Sequence, residues 1–549
     1  MSFPAFVFFL GKMSSPVSAD VPVEQAQVVD TIEAMEAMED TLPSIEPLAP
    51  LETEPLSKAP QHHAVSCHPL YVQYFAVGIV SSALPATLYG FFMGYLEVSS
   101  YVYATAAQVI ALPWSFKIVY GMANDCLPLK GYHRKPYMSI GWAICSIALV
   151  ALACTDMPRV GDSDASGKFS SLMALAAVGY IMADVAADGL TVELAKREPS
   201  TVRGTTQSNV YLARTVGSIV AALLVGFGMN GKAYNGTMSS SLSFTNICGI
   251  LACVSVPMVP ISWYFVQEPR KPACVSVRSY VHDCYSMLQS KGMFYIALYS
   301  FAHGSLGDIN TTAAGNVAKY WAQVRNMQAA LFGIVGAGIF AAGLWIVKTY
   351  LLHVCWRRII AGTTVLLVAV DAIFTYCTIY DVLRNQYFYL GETVVVMVPA
   401  AARFLMTTFA VVEIAQPGKE GVTYGLLTTL HNLGSPVAQA TSNIIFGTFR
   451  PRLSHASNYI MDTPHFRDTV AVSYALSYAA GILALLLLPL FPSQKEETRH
   501  RQETWPRKAI YAKCIVSGTV VAWIYSVTLN LMAMYPQTQC LAIAGGDGC

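Results

Sequence analysis

The stretch PWSFKIVYGMANDCLPLKGYHRKPY, residues Pro113–Tyr137, places a short basic turn between two long apolar segments, and the topology of the chain can be read from this pattern. Lys117 lies within the first apolar segment, and Asp125, Arg134 and Lys135 crowd the turn that follows it. Basic turns between membrane spans collect on the cytosolic side. We therefore predict a cytosolic turn in which Asp125 pairs with Arg134 or Lys135, a pair that opens when the two helices tilt.

The composition places most of the chain in lipid. Of the 549 residues, 54% are hydrophobic and 12% are charged, too few charges to cover a soluble globule of this size. The formal net charge of +1 lacks the excess cation that a nucleic-acid surface needs. The 13 cysteines show no CxxC pair and no His/Cys spacing that suits zinc. We predict an all-α, integral, multi-pass membrane protein with no metal, no cofactor and no nucleic-acid partner.

Apolar segments close to the roughly 20 residues that a helix needs to cross a bilayer recur along the chain. The predicted spans are 71–96, 101–122, 137–154, 171–195, 205–229 and 245–266, followed by 292–314, 326–350, 357–380, 388–414, 421–447 and 469–491. This pattern predicts two six-helix bundles, at 65–267 and 292–491, joined by a cytosolic linker at 268–291. An acidic, proline-rich tail at 1–64 is expected to be cytosolic and disordered.

The C-terminal segment at 492–549 contains one more long apolar stretch, 509–534. It is long enough to form a thirteenth span, but it has no partner after it, so a helix lying flat on the membrane remains an alternative.

The distribution of basic residues orients the chain. One set of loops holds Lys130, Arg134, Lys135, Lys196, Arg197, Arg203, Arg270, Lys271, Arg278, Lys348, Arg357, Arg358 and Lys419. The opposite loops hold fewer, so the amino terminus and the linker are predicted to be cytosolic. The sequence Asn235-Gly-Thr237 then lies on the other side, where it could accept a glycan.

An internal repeat supports the two bundles. Val192–Ala195 recurs as Val412–Ala415, and the spacing of Gly204, Arg214, Gly217 and Ser218 is shared by Gly421, His431, Gly434 and Ser435. Chance resemblance between two apolar helices is the competing explanation.

Intramembrane ionisable residues are the functional candidates, because a charge within the bilayer costs several kcal/mol unless it faces a partner or water. They are Lys117, Asp184, Asp188, Arg214, His303, Asp308, Asp371, Arg403 and His431. Asp184 and Asp188 share one helix face, which suits proton coupling, or pairing with Lys117 or Arg214.

Arg403 has no acid close to it in its own segment, so its partner is Asp308 or an anionic substrate. The seventh segment carries Asp308 together with Gly304 and Gly307, and is expected to bend or unwind at these glycines.

The quoted stretch also resembles a known family. Gly121, Asp125, Gly131 and Arg134 resemble the gating loop between spans 2 and 3 of the major facilitator superfamily. Within it, Pro113-Trp114, Lys117, Pro136-Tyr137, Ala183-Asp184 and Asp188 resemble the folate-biopterin transporter family, over about Tyr71–Phe491. The resemblance implies a symporter that moves pterin-type solutes by alternating access between two bundles.

On this resemblance, Lys117, Arg214, Arg403 and Trp114 are expected to bind the substrate, and Asp184, Asp188 and Asp308 to carry the coupling proton or a counter-charge. A carrier of S-adenosylmethionine, a nucleoside or another organic anion is the alternative within this class. A receptor or a membrane-embedded enzyme is the alternative from another class, and the absence of HExxH and GxSxG patterns argues against an enzyme. The expected partners are a small molecule and the lipid bilayer of the plasma membrane or an organelle. A monomer is compatible with the sequence.

Overall fold

The computed structural model describes residues 68–195, 205–270, 276–351, 354–414 and 420–549. These residues form helices joined by short loops, and their only β-structure is isolated bridges such as Leu129 with Tyr132. The predicted all-α membrane architecture is therefore confirmed. The tail predicted at 1–64 lies outside the described residues.

The first bundle contains six helices close to the predicted segments. They are α1 (His68–Tyr95), α2 (Ser100–Cys126), α3 (Lys135–Ala153), α4 (Ser166–Ala195), α5 (Thr205–Gly228) and α6 (Phe244–Phe265). The sequence did not predict that α2 is interrupted, with a 3-10 turn at Leu112–Phe116 before the α-helix resumes at Lys117. Pro113 explains the interruption, because it lacks the N–H that a regular α-helix needs at this position.

The second bundle repeats this plan after a linker helix at Val277–Leu288. Its helices are α7 (Lys291–Gly307), α8 (Asn326–Tyr350), α9 (Trp356–Ile379), α10 (Gln386–Val395 and Met397–Ile414), α11 (Glu420–Phe446) and α12 (Pro464–Leu490). As the glycines predicted, α7 stops at Gly307, and helical structure resumes only at Ala314.

A further helix, α13 (Ala509–Met534), follows a short polar helix at Lys495–Thr504 and coincides with the predicted segment. The Tyr511 ring near its start lies 5.1 Å from that of Phe294 in the first turn of α7. Its last residue, Met534, accepts a 3.3 Å hydrogen bond from Ser166 in the first turn of α4. Since α7 and α4 start at opposite ends of the bundle, α13 runs its full height instead of lying flat across one end.

Eleven helices among the described residues are long and apolar enough to cross a membrane by length and composition. They include α13. The broken helix α7 and helix α11 fall outside this set, although both are packed within the bundle.

The internal repeat has a packing explanation in the helix pairs α1–α5 and α7–α11. A Cβ atom at Gly78 would lie 2.1 Å from the Arg214 carbonyl oxygen, so α1 and α5 touch through their backbones. A Cβ atom at Gly434 would lie 3.0 Å from the Gly304 Cα atom, so α7 and α11 touch at the corresponding place. Small residues permit such close crossings in both halves.

Asn235, the predicted glycan acceptor, is occupied by a structural contact. Its side-chain amide donates a 2.9 Å hydrogen bond to the carbonyl of Val324, which precedes α8. A glycan on that nitrogen would break this link between the bundles, so the structure argues against the modification in this conformation.

The loop before α12 contains an ion-pair network whose contribution to stability can be tested by pH. Arg467 and Arg384 each lie 2.6 Å from Asp462. Burial disfavours the charged carboxylate, but hydrogen bonds from Arg467 and Arg384 outweigh this effect and lower the pKa of Asp462 to about 2. The folded-state pKa is below the unfolded value, so the stabilisation is complete above roughly pH 4 and is lost as the pH falls towards 2.

We expect Asp462→Asn to lower the free energy of unfolding by about 2 kcal/mol at pH 7, with a difference from the parent that shrinks below about pH 4. Thermal unfolding in detergent at several pH values measures this. Asp156→Asn, a change at an exposed carboxylate, is the control. A difference that stays constant down to pH 3 would contradict the assignment.

Candidate functional site

The interruption of α2 places Trp114 and Lys117 against α4. The Lys117 Nζ atom lies 3.7 Å from Asp188 Oδ2 and 4.6 Å from the centre of the Trp114 ring. From α1, the Tyr74 hydroxyl donates a 2.6 Å hydrogen bond to Asp188 Oδ1. The Asp188 side chain is still 33% exposed, whereas Lys117 is 14% exposed. Asp188 is therefore held by two partners without being fully buried.

A second ion pair lies deeper in the same bundle. Arg214 on α5 donates to Asp184 on α4 at 2.9 Å, and the two side chains are 4% and 0% exposed. The Arg214 guanidinium carbon lies 5.7 Å from the Trp114 ring centre. Both acids of α4 are thus paired with cations of neighbouring helices, the arrangement that the sequence left open as one alternative. The two cations and two carboxylates leave the cluster formally neutral.

The second bundle carries a different arrangement around Arg403 on α10. Among the described residues, no carboxylate lies within 4.0 Å of its guanidinium. The partner suggested by the sequence, Asp308, instead accepts a short hydrogen bond from Ser435 on α11. Helix α10 packs against α7 and α11, which carry His303 and His431.

His303 adds an unused polar atom to this cluster. Its Nε2 atom is buried and has no hydrogen-bond partner among the described residues. Its ring centre lies 5.1 Å from that of Tyr299 on the same helix. A buried polar atom without a partner is costly, so a ligand acceptor or a water molecule at this place would stabilise the site.

The repeat explains why the two bundles differ in charge. The alignment of Val192–Ala195 with Val412–Ala415 sets Phe404 opposite Asp184, and the α5–α11 alignment sets His431 opposite Arg214. The buried ion pair of the first bundle therefore corresponds to an aromatic ring and an imidazole in the second. The carboxylate that would neutralise a cation here is missing from the aligned position.

Asp371, the remaining acidic candidate, makes its own set of contacts on α9. It accepts hydrogen bonds from Tyr478 of α12 at 2.9 Å and from Thr375 at 3.1 Å.

The predicted gating loop is built around Arg134. Its Nη2 atom lies 2.6 Å from Asp125, as predicted, and its Nε atom lies 3.8 Å from Glu193 at the end of α4. Gly131 adopts a φ of +80°, which favours glycine at this turn. A Cβ atom at Gly189 would lie 2.8 Å from the Arg134 guanidinium carbon, so glycine there leaves room for the arginine.

Sequence reasoning missed Glu268, which holds the same loop. Its carboxylate accepts backbone hydrogen bonds from His133, Arg134 and Lys135 at 2.9–3.1 Å. This fixes the start of α3, where a carboxylate complements the helix dipole. Tyr74 and Ser435 were missed as well. All three contact residues that are more than 100 positions away in the sequence. Only Glu268 could have been noticed from the sequence, as an acidic residue directly after the sixth span.

A family model described as the BT1 family matches residues 78–504, which is most of the chain. A folate-biopterin transporter of Synechocystis sp. is 21% identical over 451 residues, covering 78% of this chain and 82% of the relative. The predicted resemblance to folate-biopterin transporters is therefore confirmed.

Two solved structures show the same helical fold. A mutant form of the nucleoside transporter NupG superimposes with a TM-score of 0.57 at 13% identity over 77% of this chain and 99% of its own. A D-xylose-proton symporter superimposes with a TM-score of 0.56 at 12% identity over 79% of this chain and 98% of its own. At these identities the likeness concerns the fold alone, which is that of the major facilitator superfamily. The family match and this fold agree, and the chain belongs to the BT1 family.

Proposed function

We propose that this membrane transporter carries folate- or biopterin-type pterins by alternating access, as a proton symporter. The observation that carries the proposal is Arg403, an intramembrane guanidinium with no carboxylate within 4.0 Å among the described residues. A planar guanidinium suits a carboxylate in two-point contact. Folate supplies such carboxylates through its glutamate tail. The Synechocystis relative is named as a carrier of this class.

The flat pterin ring has a suitable partner in the first bundle. Trp114 presents a partly exposed indole ring whose centre lies 4.6 Å from the Lys117 Nζ atom and 5.7 Å from the Arg214 guanidinium carbon. Aromatic rings stack on flat heterocycles, and bound charges orient them. The anionic end of the solute would then lie near Arg403 and the ring near Trp114, so that each bundle holds one end.

Asp188 is the best candidate for the coupling proton. Its carboxylate binds the Lys117 ammonium, so a proton that neutralises Asp188 would release Lys117 to bind an anionic solute. Asp184 is fully buried against Arg214 and is better suited to holding α4 and α5 together. Asp308, bonded to Ser435, would supply a counter-charge to the Arg403 cluster.

The test is uptake of labelled folate and labelled biopterin by vesicles containing the full chain, with and without a pH gradient that is acidic outside. We expect saturable uptake that the gradient stimulates. S-adenosylmethionine and a nucleoside serve as competitors. A lack of saturable uptake of both pterins would overturn the substrate assignment, and inhibition by the nucleoside alone would favour the alternative solute.

We expect Asp188→Asn to abolish the stimulation by the pH gradient while solute exchange across the vesicle membrane continues, because exchange requires no net movement of protons. The measurement compares gradient-driven uptake with counterflow in the same vesicles. Asp371→Asn provides a second intramembrane carboxylate as a control. Unchanged stimulation in Asp188→Asn would remove this residue from proton coupling.

We expect Asp125→Asn to slow the initial rate of uptake by about tenfold, because it removes a charge-assisted contact that fixes the loop between α2 and α3. The exposed change Asp156→Asn should leave the rate unchanged. Equal rates in both variants would show that the Arg134 contact plays no part in transport.

A further inference from the structure

The two bundles meet along two seams, and the seam between α2 and α11 is joined by hydrogen bonds at several points. Its hydrogen bonds lie at three levels. At the first, the Asn443 side chain donates to Thr105 at 2.8 Å. At the second, Ser115 donates to the Asn432 carbonyl at 3.0 Å and the Asn432 side chain donates to the Trp114 carbonyl at 3.3 Å, and at the third the Ile118 amide donates to Thr429 at 3.1 Å. These levels run from the first turns of α2 to its resumed α-helical part. The described hydrogen bonds therefore join the two helices from Thr105 to Ile118 of α2.

Helix α13 covers this seam and contacts both bundles. Trp523 stacks on Phe116 of α2 with ring centres 4.9 Å apart, and its indole N–H donates a 3.2 Å hydrogen bond to the Ser115 carbonyl. Asn530 donates a 2.9 Å hydrogen bond to the Pro436 carbonyl of α11. Helix α13 thus contacts both the 3-10 turn of α2 and Pro436 of α11.

The segment that follows α13 continues this connection across one end of the molecule. The Tyr101 hydroxyl of α2 donates a 3.1 Å hydrogen bond to the Gln539 carbonyl. Asp547 forms an ion pair with Arg452, which lies in the loop between α11 and α12. A disulfide between Cys540 and Cys549 closes this segment into a loop. The α2–α11 seam is therefore covered along its side and at this end.

The opposite seam, between α5 and α8, is held differently. The described hydrogen bonds lie at its outer end, where Asn326 donates to the Met229 carbonyl at 3.2 Å and Asn230 approaches the Met327 sulfur at 3.8 Å. Close packing occurs at the same end, because a Cβ atom at Gly226 would lie 2.6 Å from the Ala330 Cβ atom. No additional helix braces this side among the described residues.

We propose that α13 makes the α2–α11 seam the hinge of the carrier: as the bundles rock, this seam parts less than the α5–α8 seam, so that most of the opening at each membrane face lies on the side of α5 and α8. Two rigid bundles that are fastened along one edge separate most at the edge farthest from it. The rocking is therefore asymmetric, unlike a motion in which both seams part equally. This inference rests on the alternating access proposed above but is independent of the solute.

Engineered disulfides across each seam test the hinge. The pair Ile118→Cys with Thr429→Cys bridges the α2–α11 seam, and the pair Asn230→Cys with Met327→Cys bridges the α5–α8 seam. Oxidation is expected to lower uptake about tenfold or more in the second pair and less than about twofold in the first, relative to each pair before oxidation. The controls are the four variants that each carry only one of these introduced cysteines. Loss of uptake on cross-linking Ile118→Cys with Thr429→Cys, or full uptake with the other pair cross-linked, would overturn the hinge.

A measurement without solute separates this inference from the function on which it rests. Trp523→Ala with Asn530→Ala should speed amide hydrogen exchange in α2 and α11 by about threefold or more, and should leave α5 and α8 unchanged. The control is Val521→Ala with Ile524→Ala, at side chains of α13 that are 66% and 63% exposed. Equal exchange in the two double variants would overturn the bracing role of α13. A parent chain that transports no pterin would instead count against the proposed function alone.

Discussion

Replacement of Arg403 by alanine is expected to lower folate uptake by roughly 100-fold while lowering biopterin uptake less than about tenfold. Folate carries carboxylates and biopterin carries none, so only folate would lose a charged partner. The difference follows from a guanidinium that has no carboxylate within 4.0 Å among the described residues. Losing one partner of a desolvated charge pair weakens binding by about 2–5 kcal/mol.

Arg403→Lys is the matched control for this experiment. It keeps the charge but loses the planar fork, so we expect an intermediate KM for folate and an unchanged biopterin rate. Initial rates measured over a range of concentrations separate KM from the maximal rate. Equal losses for folate and biopterin in Arg403→Ala would indicate a structural role, and unchanged uptake of both would exclude Arg403 from the site.

Removal of either partner of the Asp184–Arg214 pair is expected to destabilise the protein by about 3–5 kcal/mol, because it leaves an uncompensated buried charge. The side chains are 0% and 4% exposed, so little solvent is available to screen the remaining charge. Asp184→Asn and Arg214→Met should each lower the yield of folded protein and its melting temperature in detergent.

The double change Asp184→Leu with Arg214→Met is the control, because replacing both charges with apolar side chains of similar size is often neutral or stabilising. We expect this variant to recover most of the melting temperature. If it also recovers transport, the pair serves structure and not substrate binding. Single variants that melt like the parent would contradict the burial of the pair.

Most of the fold could be predicted from the sequence because the bilayer imposes a length and a composition on every spanning helix. The segment 509–534, for example, coincides with α13 as the structure has it. The 3-10 turn at Leu112–Phe116 was missed because hydropathy averaged over a whole span does not detect a local change of hydrogen bonding. Pro113 was the available signal.

The candidate site could be predicted in its residues but less well in its contacts. An intramembrane charge stands out in an apolar sequence, so Lys117, Asp188 and Arg403 were found without coordinates. Which acid meets which cation depends on helix packing. The sequence suggested Asp308 as a partner of Arg403, whereas in the structure Asp308 accepts a hydrogen bond from Ser435. The distant contact of Glu268 with the predicted gating loop depends on how α3 meets α6.

The bond between Cys540 and Cys549 also bears on how the protein must be handled. Such a bond persists only where thiols are kept oxidised, which agrees with the non-cytosolic end that α13 would have as a thirteenth span after a cytosolic linker. A preparation that is kept in dithiothreitol from lysis onward would release the ring that presents Asp547 to Arg452. Assays of such material would report on a carrier in which the contact between the C-terminal loop and Arg452 is weakened.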